Sequence, residues 1–219
     1  MKNNREEISE RLADCYTGAV YDVMRNMGYP DQLLPHKIRP IDLQHKIAGP
    51  VFTVEGKVDR SLDKNTSLLK WCGMLSKAPS GHILMCQPND DTVAHMGELS
   101  AETLTFKGLK GYIVDGGCRD SSFIERMGFP VFCSYFTPRD VVSTWCPVAF
   151  GEQIAIGGVK IYTGDYVLAD RDGIIIIPQD MILEVVQRTE EVLSTENLVR
   201  KAILSGVDPV DAYLQFGKF

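Results

Sequence analysis

The stretch Gly111-Tyr112-Ile113-Val114-Asp115-Gly116-Gly117-Cys118-Arg119-Asp120 constrains this chain more than any other. Tyr112 to Val114 is an apolar run of strand length, and Asp115-Gly116-Gly117 stops it in a tight loop. The stop delivers Arg119 and Asp120 to the strand's C-terminal mouth. Glycines there let backbone approach a ligand closely. Arg119 is a permanent cation whose planar fork fits a carboxylate. Asp120 is an anion suited to a hard divalent cation. An Arg-Asp pair in a loop also reads as a solvated surface feature, so the pair needs support from elsewhere in the chain.

That support lies upstream, in Val93-Ala94-His95-Met96-Gly97-Glu98-Leu99-Ser100-Ala101-Glu102-Thr103-Leu104. Gly97 reads as the start of a helix running to about Phe106. A helix N-terminus exposes unpaired N–H groups and the positive end of its dipole, which makes an anion site. Glu98 falls in the first turn and Glu102 one turn later, so the two can share a face. A first-turn glutamate also has an ordinary role in stabilising the dipole.

The rest of the chain reads as one domain over residues 1–219, with a mixed sheet flanked by N- and C-terminal helices. Residues 5–27 carry a helical apolar spacing that Gly28 and Pro30 end, and 31–45 form a mostly polar linker. The core spans about 46–178. In it, a strand from Ile47 ends at Glu55-Gly56, a helix covers Thr66 to Lys77, and His82 to Cys86 is a strand. Ser122 to Met127 is a short helix and Phe129 to Tyr135 a strand. Arg139-Asp140 lacks the preceding glycines and reads as a plain loop. Short strands from Gln153 to Ile177 turn at Gly157-Gly158. Residues 179–217 are helical, and Pro209 to Phe216 could dock on a neighbouring subunit. Strands outnumber crossovers, so the sheet is mixed rather than parallel.

With 219 residues and 44% hydrophobic residues, a sizeable core is affordable in area. The net charge of −6 and the lack of a basic block argue against nucleic-acid binding and against docking on an anionic membrane. No apolar run is long enough to span a bilayer, and the charged N-terminus has no signal region. Six scattered cysteines without Cys-x-x-Cys fit reduced thiols in a cytoplasm. Cys118 adjoins Arg119, which could activate it, but it reads better as a small residue in a tight turn. His95, the only histidine near the proposed site, reads as a core or rim residue. No dinucleotide fingerprint, P-loop or nucleophile elbow is present.

Gly97-Glu98, followed about twenty residues later by Asp115-Gly116-Gly117-Cys118-Arg119-Asp120, resembles the RraA-like family. The likeness runs from the Asp22 helix through Gly49-Pro50-Val51 to Gly173-Ile174 and Pro178. That family includes class II pyruvate aldolases acting on 4-hydroxy-4-methyl-2-oxoglutarate and 4-carboxy-4-hydroxy-2-oxoadipate, and the protein inhibitor of ribonuclease E. The resemblance implies an α/β fold of the swivelling β/β/α type, and a homotrimer or homohexamer with active sites at subunit interfaces. It implies that Asp120 holds a divalent metal, Mg²⁺ or Mn²⁺, with Glu98 acting through water. It implies that Arg119 contacts the keto-acid oxygens, and that N–H groups after Gly97, near Leu99 and Ser100, receive the substrate carboxylate. Arg119 and Glu98 would then be catalytic and the ligand a small anionic 2-keto acid. The reaction would be retro-aldol cleavage to pyruvate or oxaloacetate decarboxylation through a stabilised enolate. One position departs: the aldolase pattern has an acid three residues after Arg-Asp, and here Phe123 stands there. The alternatives are a non-catalytic regulator that docks on a ribonuclease and a lyase or hydratase acting on another hydroxy or keto acid.

Overall fold

The computed structural model describes residues 4–218. Its strands are β1 (Arg39–Pro40), β2 (Ile47–Val58), β3 (Ile83–Gln87), β4 (Gly111–Val114), β5 (Gly117–Cys118), β6 (Val131–Cys133), β7 (Tyr135–Phe136), β8 (Trp145–Phe150), β9 (Ile154–Ile156), β10 (Val159–Ile161), β11 (Tyr166–Ala169) and β12 (Ile174–Ile177). The helices are α1 (Asn4–Asp14), α2 (Thr17–Asn26), α3 (Lys64–Lys77), α4 (Glu98–Phe106), α5 (Ser121–Met127), α6 (Ile182–Leu204) and α7 (Pro209–Phe216).

The main sheet runs β1-β6-β4-β3-β2-β11-β12, and β8 also pairs with β2. Strands β2, β3, β4 and β6 are parallel neighbours, because α3, α4 and α5 cross back between them. The pairings to β1, β8 and β11 are antiparallel. The sheet is therefore mixed, as the strand-rich middle of the chain predicts. The four residues of β3 from Ile83 to Cys86, and all of β4, are buried, the mark of strands covered on both faces.

Three apolar clusters hold the layers together. One packs α3, α4 and α5 on one face of the parallel strands, around Met74, Leu104, Tyr112 and Trp145. A second fills the opposite face with Ile83, Met85, Ile113 and Phe132, under the β9–β10 hairpin. The third seats α1, α2 and α6 on β11 and β12. Gly157 and Gly158 turn that hairpin with φ of 60° and 89°, the paired positive values that such a turn requires.

The structure corrects three sequence expectations. The helix expected over residues 5–27 is two helices, α1 and α2, broken at Cys15-Tyr16. Asp170 makes the break: its carboxylate accepts from the Thr17 N–H at 2.9 Å and the Thr17 hydroxyl at 2.7 Å, capping α2 from a distant turn. The first strand does not stop at Glu55-Gly56 but runs to Val58 through a bulge between those residues. The linker over 31–45 contains β1, which closes one edge of the sheet. The final helix, α7, has the expected bounds and lies against α6, with Ala212 buried. No helix among the described residues is long and apolar enough to cross a membrane.

Candidate active site

Parallel strands carry their ligands beyond their C-terminal ends. Here β3, β4 and β6–β7 end side by side, and the three loops that follow are stitched to one another. The Ala94 N–H donates to Arg139 O at 2.8 Å, that of Arg119 to Met96 O at 2.9 Å, and that of Thr137 to Cys118 O at 3.1 Å. A cavity of about 480 Å³ opens where they meet, bounded by α3 on its far side. Gly97, Glu98, Leu99, Ser100, Arg119 and Asp120 all line it. The structure thus brings together all six residues that the sequence singled out.

The helix α4 begins where expected, with Gly97 at its N-cap. A Cβ at 97 would lie 2.9 Å from Asp120 Oδ2 and 3.2 Å from Arg119 Nε. Its φ is −152°, extended backbone open to any residue, so this glycine is required for space. The cap is supplied from across the site, where the Glu98 N–H donates to Asp120 Oδ2 at 3.2 Å. By helix geometry the N–H groups of Leu99 and Ser100 have no acceptor in the first turn. The Leu99 side chain is exposed, so what that residue offers the cavity is backbone. Ser100 offers backbone too, because its hydroxyl accepts from Trp71 Nε1 at 3.0 Å. Glu98 is half-buried on the cavity wall, whereas Glu102 is exposed and off it. The two do not act as a pair.

Asp120 sits in the left-handed region, φ 55°, ψ 29°. Few non-glycine residues adopt it, and aspartate is among the more tolerant. Such a backbone at a cavity edge is local strain that the surroundings must hold in place. The Arg119 guanidinium lies between two carboxylates, with Nε 3.5 Å from Asp120 Oδ2 and Nη1 3.5 Å from Asp140 Oδ2. Asp140 is the residue that sequence reasoning missed. Its Arg-Asp was read as a plain loop for want of glycines. It reaches the cavity because β5 and β7 pair and carry the loop after Phe136 beside Arg119. Nothing in the sequence around it signals that.

Phe123, where the aldolase pattern has an acid, does not line this cavity. It is half-exposed, with the Arg126 guanidinium 4.6 Å above its ring, a surface cation–π contact. Cys118 is a buried thiol. A hydrogen bond with Cys133, and then burial, push its pKa far upward. It is a packing residue and not a nucleophile.

The donor set suits a hard cation. Asp120 Oδ2 is engaged by Glu98 N–H, whereas none of the hydrogen bonds among the described residues uses Oδ1. No group of three or more His, Cys, Asp or Glu that could hold a metal is found among those residues. One carboxylate with open space beside it fits Mg²⁺, which keeps several waters and takes one or two carboxylates plus substrate oxygens.

The glycine pair is held by His95. Gly117 N–H donates to His95 Nδ1 at 3.3 Å, and His95 N–H returns a bond to Gly117 O at 2.7 Å. The ring is fully buried against Trp145, edge to face at 5.0 Å. Its Nε2 lies 3.3 Å from Asp90 Oδ2, yet out of line for a hydrogen bond. Burial lowers the imidazole pKa from its ordinary 6.5 to about 4, against the pull of Asp90. Because the folded state resists protonation here, the unfolded chain binds the proton more readily between those two values. Stability is therefore complete above pH 6.5 and falls as pH drops toward 4. His95→Asn, which keeps an acceptor near the Nδ1 position, is expected to flatten this part of the Tm–pH profile. Parallel wild-type and variant profiles would refute it.

Comparison with known proteins places the chain in a family. The chain is 29% identical over 208 residues to "Protein DlpA" of Legionella pneumophila; the match takes in 91% of this chain and spans only 32% of that protein's length. It is 28% identical over 182 residues to "Putative 4-hydroxy-4-methyl-2-oxoglutarate aldolase" of Halalkalibacterium halodurans, covering 83% of each. The solved structure of Streptomyces coelicolor RraAS2, described as an unusual member of the RNase ES inhibitor RraA protein family, superposes with a TM-score of 0.80 at 25% identity. That match covers 91% of this chain and 98% of that one. The family model described as Aldolase/RraA matches residues 17–176, a span that contains all three loops of the cavity, and the chain belongs to the RraA-like family.

Proposed function

We propose that this protein is a divalent-metal-dependent carbon–carbon lyase acting on a 2-keto acid, by retro-aldol cleavage of a 4-hydroxy-2-keto acid, by oxaloacetate decarboxylation, or both. The observation that carries this reading is the meeting of Arg119, Asp120 and the N-terminus of α4 in one cavity. A docking surface has no use for that set. The aldolase name of the H. halodurans relative supports the reaction class.

A Mg²⁺ or Mn²⁺ ion at Asp120 would supply Lewis-acid stabilisation of the developing enolate. The chain's own groups do the rest. The Leu99 and Ser100 N–H groups hold the C1 carboxylate at the positive end of the helix dipole. Arg119 points its guanidinium at the keto oxygen, where negative charge grows as the bond breaks. In the retro-aldol direction Glu98 takes the C4 hydroxyl proton, directly or through a water. The C3–C4 bond cleaves and its electron pair passes into the enolate. A proton returned to C3 completes pyruvate. In oxaloacetate the same bond cleavage releases CO₂, so no base is needed before the enolate forms. The reading includes a homotrimer or homohexamer. Leu99, 77% exposed at the cavity, and Phe106, 94% exposed at the other end of α4, are side chains that a subunit contact would cover.

Pyruvate release from oxaloacetate and from 4-hydroxy-2-keto acids, coupled to lactate dehydrogenase, tests the proposal. Turnover with Mg²⁺ that EDTA abolishes and added Mg²⁺ restores is the expected result. Absence of pyruvate from every such acid would refute the lyase and favour the docking regulator.

A further inference from the structure

We propose that Asp140 is a positioning residue for this site: it aims the Arg119 guanidinium at the substrate's keto oxygen, a task that Asp120 gives up once it binds the metal. The inference rests on the keto-acid lyase reading of the cavity. It adds to that reading a residue that the Gly97-Glu98 and Arg119-Asp120 pattern does not contain.

Arg119 is held firmly at its backbone and loosely at its head. Its N–H donates to Met96 O at 2.9 Å. Its side chain is 38% exposed, and none of the hydrogen bonds among the described residues uses the guanidinium. What directs that group is two carboxylates, Asp120 Oδ2 at 3.5 Å from Nε and Asp140 Oδ2 at 3.5 Å from Nη1. A long side chain with many rotamers, set by so little, loses its orientation readily.

The two carboxylates are not equivalent. Asp120 is the proposed metal ligand, and its Oδ2 already accepts from the Glu98 N–H. A divalent ion beside it offsets the charge that holds Nε. Asp140 keeps its charge for Arg119, and it keeps its place. Its Oδ1 accepts from the Val142 N–H at 3.1 Å, which leaves Oδ2 for the guanidinium. The segment around it is pinned on three sides. Arg139 O accepts from the Ala94 N–H at 2.8 Å, the Thr137 N–H donates to Cys118 O at 3.1 Å, and the Ser143 N–H donates to the buried Ser67 hydroxyl of α3 at 3.2 Å. Asp140 and Arg119 belong to one chain, so the contact does not depend on what a neighbouring subunit adds to the cavity. A working group displaced by about 1 Å costs on the order of 10²-fold in rate. The charge of Asp140 by itself acts the other way, since an anion beside Arg119 weakens its pull on the developing oxyanion. Placement and charge therefore give opposite signs when Asp140 is neutralised.

The test is a double-mutant cycle on the full chain with Mg²⁺, read as pyruvate release. Asp140→Asn has nearly the same shape, retains an acceptor for the Val142 N–H and replaces a side chain that is 46% exposed, so the fold should stand. It is expected to lower kcat roughly tenfold, with KM and the half-saturating Mg²⁺ concentration near wild type, the pattern of an interaction made in the transition state. In the Arg119→Ala background the same change is expected to matter by less than about twofold. A rate at or above wild type in Asp140→Asn would overturn the proposal. An equal loss in both backgrounds would overturn it too, since that is what general damage to the loop gives. Titration calorimetry with oxalate and pyruvate supplies a readout that needs no turnover. Oxalate carries an anionic oxygen where pyruvate has its keto oxygen, so Asp140→Asn should weaken oxalate about fivefold more than pyruvate. Equal weakening of the two, or none, would overturn the proposal. Failure of the wild-type chain to bind either acid would instead strike down the keto-acid reading, and the proposal with it.

Discussion

Arg119→Ala is expected to lower kcat/KM for pyruvate release by about 10²- to 10³-fold, the usual cost of losing one donor aimed at a developing oxyanion. Arg119→Lys should recover only part of this, since an ammonium lacks the fork that can face the substrate and two carboxylates at once. The Arg119 side chain is 38% exposed, so neither variant should unfold the protein. Asp120→Asn should lose activity as severely, but with a different signature. It should raise the Mg²⁺ concentration needed for half-maximal rate, whereas Arg119→Ala should leave that concentration in place. Activity near wild type in Arg119→Ala or Asp120→Asn would sink the assignment. A shared shift in Mg²⁺ dependence would mean that the two roles are not separate.

Gly117→Ala should be the most destabilising small change in the site region. An added Cβ would lie 2.5 Å from Val93 O and 2.5 Å from the Tyr135 ring. One of those atoms is backbone, so a rotamer change cannot relieve the contact. Overpacking of this kind costs about 3 kcal/mol, and a chain of this size should then lose on the order of 10 °C in Tm. Gly173→Ala, where a Cβ meets nothing within 4 Å, is the control and should stay near wild type in urea unfolding. If Gly117→Ala matched that control, the loop would be more yielding than its packing implies.

What was legible in the sequence was what neighbouring residues decide. The stop at Asp115-Gly116-Gly117, the start of α4 at Gly97 and the β9–β10 turn are set by local backbone chemistry, and each lies where the sequence puts it. What was not legible depends on residues far along the chain. The break between α1 and α2 is made by Asp170, 153 positions from Thr17. The strand β2 passes through Gly56 because Trp145 packs directly on that glycine, where a Cβ would lie 1.8 Å from the ring. The strand β8, which carries Trp145, contains Pro147 and has no clean alternation, so residues 141–152 gave no strand signal. Asp140 joins the cavity through the pairing of β5 with β7, which no motif spells out. Half of the site is thus written in two glycine-marked stretches. The wall that α3 gives the cavity is written as an ordinary amphipathic helix.

The room left by Gly97 has a practical consequence. What a methyl group there would meet are two side chains, the Asp120 carboxylate and the Nε and Cγ of Arg119, and no part of the core. Position 97 is therefore a handle on the chemistry that is separate from the fold. Gly97→Ala offers a matched blank: a protein that purifies and melts like its parent while its carboxylate and guanidinium are out of register. Turnover that persisted undiminished in such a preparation would point to a contaminant, which matters when activity is first sought against a panel of unfamiliar acids.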